Sequence, residues 1–148
     1  MTITLGLLAL IRTGPEPESP EVAAAAIIDA GLEGLEGADA DAIMALVSDD
    51  FRATLVPLGT TDREQLRRYL ALRFLRYGPV NAQILSRDIE VRDPSSVVIR
   101  LRVIVSQGGL RGVLDGRTDA THVDLLVNRE GSEWRITSIE GRGLAREY

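Results

Sequence analysis

The chain contains no cysteine and no lysine, only one histidine (His122) and only one tryptophan (Trp134). Without thiols, disulfides, thiolate nucleophiles, iron–sulfur clusters and zinc–thiolate sites are all excluded. A single histidine excludes a multi-histidine metal centre within one chain, and no Asp-x-Asp-x-Asp-Gly loop offers a calcium site. No glycine-rich phosphate loop is present, so neither a metal nor a nucleotide or flavin cofactor is expected. All 17 basic residues are arginines and the net charge is −5, which argues against a nucleic-acid partner. The longest apolar run, at 3–11, is too short to span a bilayer, and no transmembrane helix is expected.

What is present suits one domain: 148 residues can bury about two thirds of their unfolded surface. Residues 1–19 divide into the apolar run and the proline-rich "TGPEPESP", and 20–148 form a single domain. Two readings fit the apolar run, a packed strand or helix and the remnant of an export segment. Location stays open accordingly: cytoplasmic is favoured slightly, and exported or envelope-associated is the alternative.

Ser19, Pro20 and Glu21 read as N-cap, first helical position and acidic first turn of a helix running to about Gly37, its apolar stripe made of Val22, Ala26, Ile27, Ala30 and Leu35. Asp39 caps a second, short helix carrying Ile43, Met44, Leu46 and Val47, which explains the acidic pair Asp39 and Asp41 without a metal. Thr61 and Glu64 have capping-box spacing for a third helix, which Gly78 closes; Leu66, Leu70 and Phe74 form its core line, and its arginines are expected as solvated surface. From Val80 the period changes to two, and strands are expected at about 82–92, 97–107, 110–114, 117–128 and 133–141. Helices followed by a meander of strands give an α+β fold: three N-terminal helices packed on a strongly curved antiparallel sheet of four to six strands.

The turn at Gly131-Ser132 fixes a register that pairs Arg129 with Trp134, Val127 with Ile136, Leu125 with Ser138 and Val123 with Glu140. Val123, Leu125, Val127, Trp134 and Ile136 then share the core face, where the Trp134 ring closes one end of the core. The apolar set Val97, Ile99, Leu101, Val103 and Val105 matches it only with an extra residue after the Asp115-Gly116 turn is counted back, placed at Gly108-Gly109. A sheet bent in this way leaves a concave interior for a pocket.

"LEGADADAIMALVSDDF" (35–51), "GTTDREQLRRYL" (59–70) and "VDLLVNREGSEWRITSIE" (123–140) resemble the nuclear transport factor 2-like superfamily, a cone-shaped α+β fold shared with polyketide-cyclase-like proteins. The resemblance covers about 20–142 and implies a fold that hosts enzymes, ligand binders and association modules. Its enzymes imply residues this chain lacks. Residues 20–37 hold no tyrosine for an isomerase-like oxyanion donor. His122, the only histidine for a dehydratase-like role, falls on the outer face, as do Arg100 and Arg102 of a hydrolase-like relay.

The function expected is therefore non-catalytic, binding a small apolar ligand or a protein partner. Trp134, Ser138, Thr121 and Tyr77 are the expected pocket residues. The alternative is a cofactor-free acid–base enzyme of isomerase, cyclase or dehydratase type, with Glu140 or Asp119 as the inward base and Tyr69 as donor. A second alternative is an exported or envelope-tethered domain. A homodimer through the outer sheet face is expected as well, using His122, Asp124, Leu126, Arg135 and Ile139.

Overall fold

The computed structural model describes residues 19–55, 59–106 and 120–142. Helix α1 (Pro20–Glu36) begins where the Ser19 hydroxyl accepts from the Val22 amide, with Pro20 and Glu21 placed as expected. Its buried side is made of Ala23, Ala24, Ile27 and Ile28, while Val22 and Ala26 face solvent. The expected stripe is thus rotated, because the small Ala23 and Ala24 let α1 sit close to the sheet. Helix α2 (Ala40–Met44) is capped by Asp39, whose carboxylate accepts from the Ala42 amide at 3.0 Å. The two helices touch at Gly34, where a Cβ would lie 2.6 Å from Cγ1 of Ile43.

Leu46 and Val47 do not extend α2. The Leu46 carbonyl accepts from the Ile136 amide at 2.8 Å, and the chain runs on as β1 (Val47–Leu55), antiparallel to β2 (Gly59–Asp62). Arginines close the helix end: Nη1 of Arg135 donates to the Ala45 carbonyl, and Nη2 of Arg63 donates to that of Met44. Helix α3 (Arg63–Tyr77) has its capping box one residue later than expected, between Asp62 and Gln65. Thr61 is spent elsewhere, since it belongs to β2, is buried, and donates its hydroxyl to the Gly59 carbonyl. Leu66, Leu70 and Phe74 are buried, and Gly78, at φ 75°, ends the helix.

Four long strands follow: β3 (Asn81–Asp93), β4 (Ser96–Ser106), β5 (Ala120–Glu130) and β6 (Glu133–Arg142). The six-stranded order is β2-β1-β6-β5-β4-β3. The fold is α+β as expected, but the sheet is mixed, because β1 runs parallel to β6. The expected strand at 110–114, the Asp115-Gly116 turn and the Gly108-Gly109 bulge lie outside the described residues. The match they were meant to restore is present: Val97 pairs with Val127, Ile99 with Leu125 and Leu101 with Val123.

Between β5 and β6 the expected register holds from the Gly131 turn to Val127 and Ile136, and then shifts by one. Thr137 is the extra residue. Its hydroxyl donates to the Leu126 carbonyl and accepts from Nδ2 of Asn128, each at 3.3 Å. Beyond this bulge Leu125 pairs with Ile139 and Asp124 with Glu140. Ile139 therefore turns inward, and Ser138 and Glu140 turn outward, the reverse of the sequence expectation. The core between helices and sheet is built on fully buried Val47, Phe51, Val97, Ile99 and Val127.

Candidate functional site

The concave face of the sheet does not close on the helices. It leaves a cavity of about 290 Å³, bounded by Leu32 and Leu35 of α1, Ile43 of α2, Leu66 and Leu70 of α3, and Ile84, Leu101, Val103, Val123 and Ile139 of the sheet. Three causes built into the chain keep it open. Gly31 of α1 lines it with no side chain, and an added Cβ would meet nothing within 4 Å. Ala82 lines it from β3 with a single methyl group. The register shifts in β3 and β6 mark bulges, which increase the curvature of a sheet.

The nineteen described residues that line it are all apolar or glycine. No described carboxylate, hydroxyl, amide or arginine lines the cavity, so its walls offer dispersion and desolvation but no group to move a proton. Such a lining favours an apolar occupant, and the volume is roughly twice the ~150 Å³ that accommodates benzene. Removing about 200 Å² of a ligand's apolar surface from water contributes roughly 5 kcal/mol before the costs of association.

The residues expected at the pocket lie around this cavity, not along it. Trp134 packs half-buried against the core cluster but does not reach the space. Thr121 is half-buried opposite Val103 and is not part of the lining. Tyr77 is 58% exposed, and Tyr69, half-buried against the core, does not line the cavity; its ring and that of Tyr77 flank the Arg73 guanidinium at 5.9 and 5.7 Å. The Thr137 bulge carries Ser138 and exposed Glu140 to the outer face, beside Arg52 and Thr60 in a shallow polar cleft. Asp119 lies outside the described residues. Among the described residues, no group of three or more histidine, aspartate or glutamate side chains is placed to hold a metal ion.

Most of the lining side chains, Ile43, Leu66, Leu70 and Leu101 among them, are expected core residues, but none of them is an expected pocket residue. Leu32, Ala82 and Ile139 were not foreseen on an inward face, and for Ile139 only the bulged register brings it there.

No protein-family model matches the sequence, and no curated protein matches it. Solved structures do match the fold. A protein of unknown function from Pseudomonas putida superposes with a TM-score of 0.72 at 11% identity, over 82% of this chain and 84% of its own. The chain has the nuclear transport factor 2-like fold. Two further structures with this fold have different names. A hexachlorocyclohexane dehydrochlorinase from Novosphingobium barchaimii matches at TM-score 0.67 and 15% identity, over 82% of this chain and 84% of its own. A protein assigned as a calcium/calmodulin-dependent protein kinase type II association domain, from Thiobacillus denitrificans, matches at 0.66 and 20%, over 85% and 97%. The nuclear transport factor 2-like fold thus serves both catalysis and association, and the residues of the site must decide between them. No helix among the described residues is long and apolar enough to cross a membrane.

Proposed function

We propose that this protein is a non-catalytic binder of a small apolar molecule, held in the cavity between α1, α3 and the inner sheet face. The observation that carries this reading is that every described residue lining the cavity is apolar or glycine. A catalytic site of this size needs at least one group that donates, accepts or stabilises charge, and Glu140, the base the sequence offered, is exposed on the other face. Monoterpene-sized or bicyclic hydrocarbons and their ketones fit the volume. Titration with such compounds, followed by calorimetry, tests the reading. Leu101→Trp fills the cavity and is expected to weaken binding at least tenfold while the fold persists. Failure of wild type to bind any apolar compound of this size would overturn the proposal, and so would equal binding by the filled variant.

The outer face of the sheet supports a homodimer. His122, Asp124, Leu126 and Arg135 share that face, whereas Ile139 has turned into the cavity. Leu126, half-buried beside the already buried Val98 of β4, is the apolar side chain that face still offers. A two-fold contact would bring Leu126 against its own copy, surrounded by charges of both signs. Leu126→Arg is expected to convert a dimer that persists at about 0.5 M salt into a monomer. A wild type already monomeric at micromolar concentration excludes this contact.

A further inference from the structure

Helix α3 buries Leu66, Leu70 and Phe74 and exposes an apolar pair on its other side, Leu72 at 58% and Leu75 at 84%. Tyr77, 58% exposed, ends the buried line at the last turn of the helix. Arginines surround them. Between Arg63 and Tyr77 the helix has five arginines and one acid, Glu64. Arg67 and Arg68 share Glu64, Arg73 is sandwiched between the rings of Tyr69 and Tyr77, and Arg76 makes no ion pair among the described residues. A shallow groove lined by Gln65, Arg68, Tyr69 and Leu72 runs beside the exposed leucines. Tyrosine, arginine and an exposed aliphatic centre are the composition of a protein-binding surface, and the Arg73 guanidinium lies within cation–π reach of both tyrosine rings.

The complementary surface is on the same chain. Residues 20–44, which make α1 and α2, hold six acids (Glu21, Asp29, Glu33, Glu36, Asp39 and Asp41) and no basic residue. All six are exposed, and so is Val22, at 55%. We propose that the outer face of α3 docks on the acidic outer surface of α1 and α2 in a second copy of this chain. Leu72 and Leu75 supply the apolar centre, and arginines at the rim face acids of the other copy. The acidic and basic surfaces are neighbours on one molecule, since Arg63 of α3 reaches the Met44 carbonyl at the end of α2. A two-fold turn therefore sets each basic surface against an acidic one, twice per contact. An anionic membrane fits less well, because the acidic surface beside α3 would be repelled by it.

The test is sedimentation of the full chain at low and high salt, with variants that alter one surface each. Wild type is expected to self-associate at about 0.05 M salt and to weaken at least tenfold at about 0.5 M, as screening shortens the reach of the charges. Leu75→Glu spoils the basic surface, and Glu33→Arg spoils the acidic one. Both positions are exposed, and unchanged thermal melts would show that both variants fold. Each variant alone is expected to lose the salt-sensitive step, and a one-to-one mixture is expected to regain it, because one intact pair of surfaces remains. Every variant keeps the outer sheet face, so any dimer formed there is common to the set. Self-association that ignores salt and Leu75→Glu overturns the proposal, as does a mixture that stays dissociated. A wild type that does not associate but binds phosphatidylglycerol vesicles through Leu75 would overturn it in favour of a membrane partner.

Discussion

Phe51 and Trp134 are the two aromatic side chains on which single-residue burial can be compared most directly. Phe51 is completely buried on β1, whereas Trp134 is only half-buried against the core. Phe51→Ala is therefore expected to cost about 3–5 kcal/mol and Trp134→Ala about 2 kcal/mol, reversing the order their sizes suggest. Denaturant midpoints of the two variants measure this directly. The outer surface gives a pH-dependent example. A hydrogen bond from Arg100, at 2.8 Å, holds the Glu90 carboxyl below its ordinary value. A depressed folded-state value adds stability above the unfolded-state value, and that stability is lost as the pH falls through the folded one. The pair is exposed, so the effect is small and salt-screened. Glu90→Gln is expected to flatten the acid side of the stability profile slightly at low salt and leave it unchanged at high salt.

Helix α1 carries two glycines whose substitution by alanine has opposite expected outcomes. Gly31 faces the open cavity, so Gly31→Ala should stabilise by about 0.5–1 kcal/mol through helix propensity alone. Gly34 is in contact with Ile43, and Gly34→Ala should destabilise by about 1–3 kcal/mol as α2 is forced off. Thermal melts of the pair decide whether the helix contact or the propensity dominates. In β6, Thr137→Val removes both hydrogen bonds of the bulge and should cost about 1 kcal/mol. Elements were legible in the sequence where local chemistry sets them. Ser19, Asp39 and Gly78 mark helix ends because caps act over three or four residues, and Val97 to Val103 alternate because both faces of β4 are decided locally. Strands β1 and β2 were not legible. Between 47 and 53 of β1 the buried positions are Val47, Ser48, Phe51 and Ala53, a spacing that follows neither period, because a bulge separates Val47 from Arg52. The bulge at Thr137 was hidden in the same way, and with it went the assignment of Ser138, Ile139 and Glu140 to their faces.

Across the whole molecule, the last strand in sequence is not at an edge. Strand β6 lies between β1 and β5, so Val47 is joined to Ile136 across 89 residues of chain. This placement governs the order in which the protein can be made. During synthesis, α1 to α3 and the β1–β2 hairpin emerge first, then β3, β4 and β5, and the two halves of the sheet have no strand in common until β6 arrives. Until then the inner face of β4 and β5 has lost its neighbour, and the unpaired edges of β1 and β5 are open to other chains. Pairing over such distances makes folding slow, in the range of milliseconds to seconds. A chain stopped after Glu130 is expected to show no cooperative melt and to aggregate, and supplying 133–142 as a separate peptide should rescue part of the structure. The protein is thus committed to a late, single closing step, and a cell making it must shield the open sheet for most of the time the ribosome spends on it.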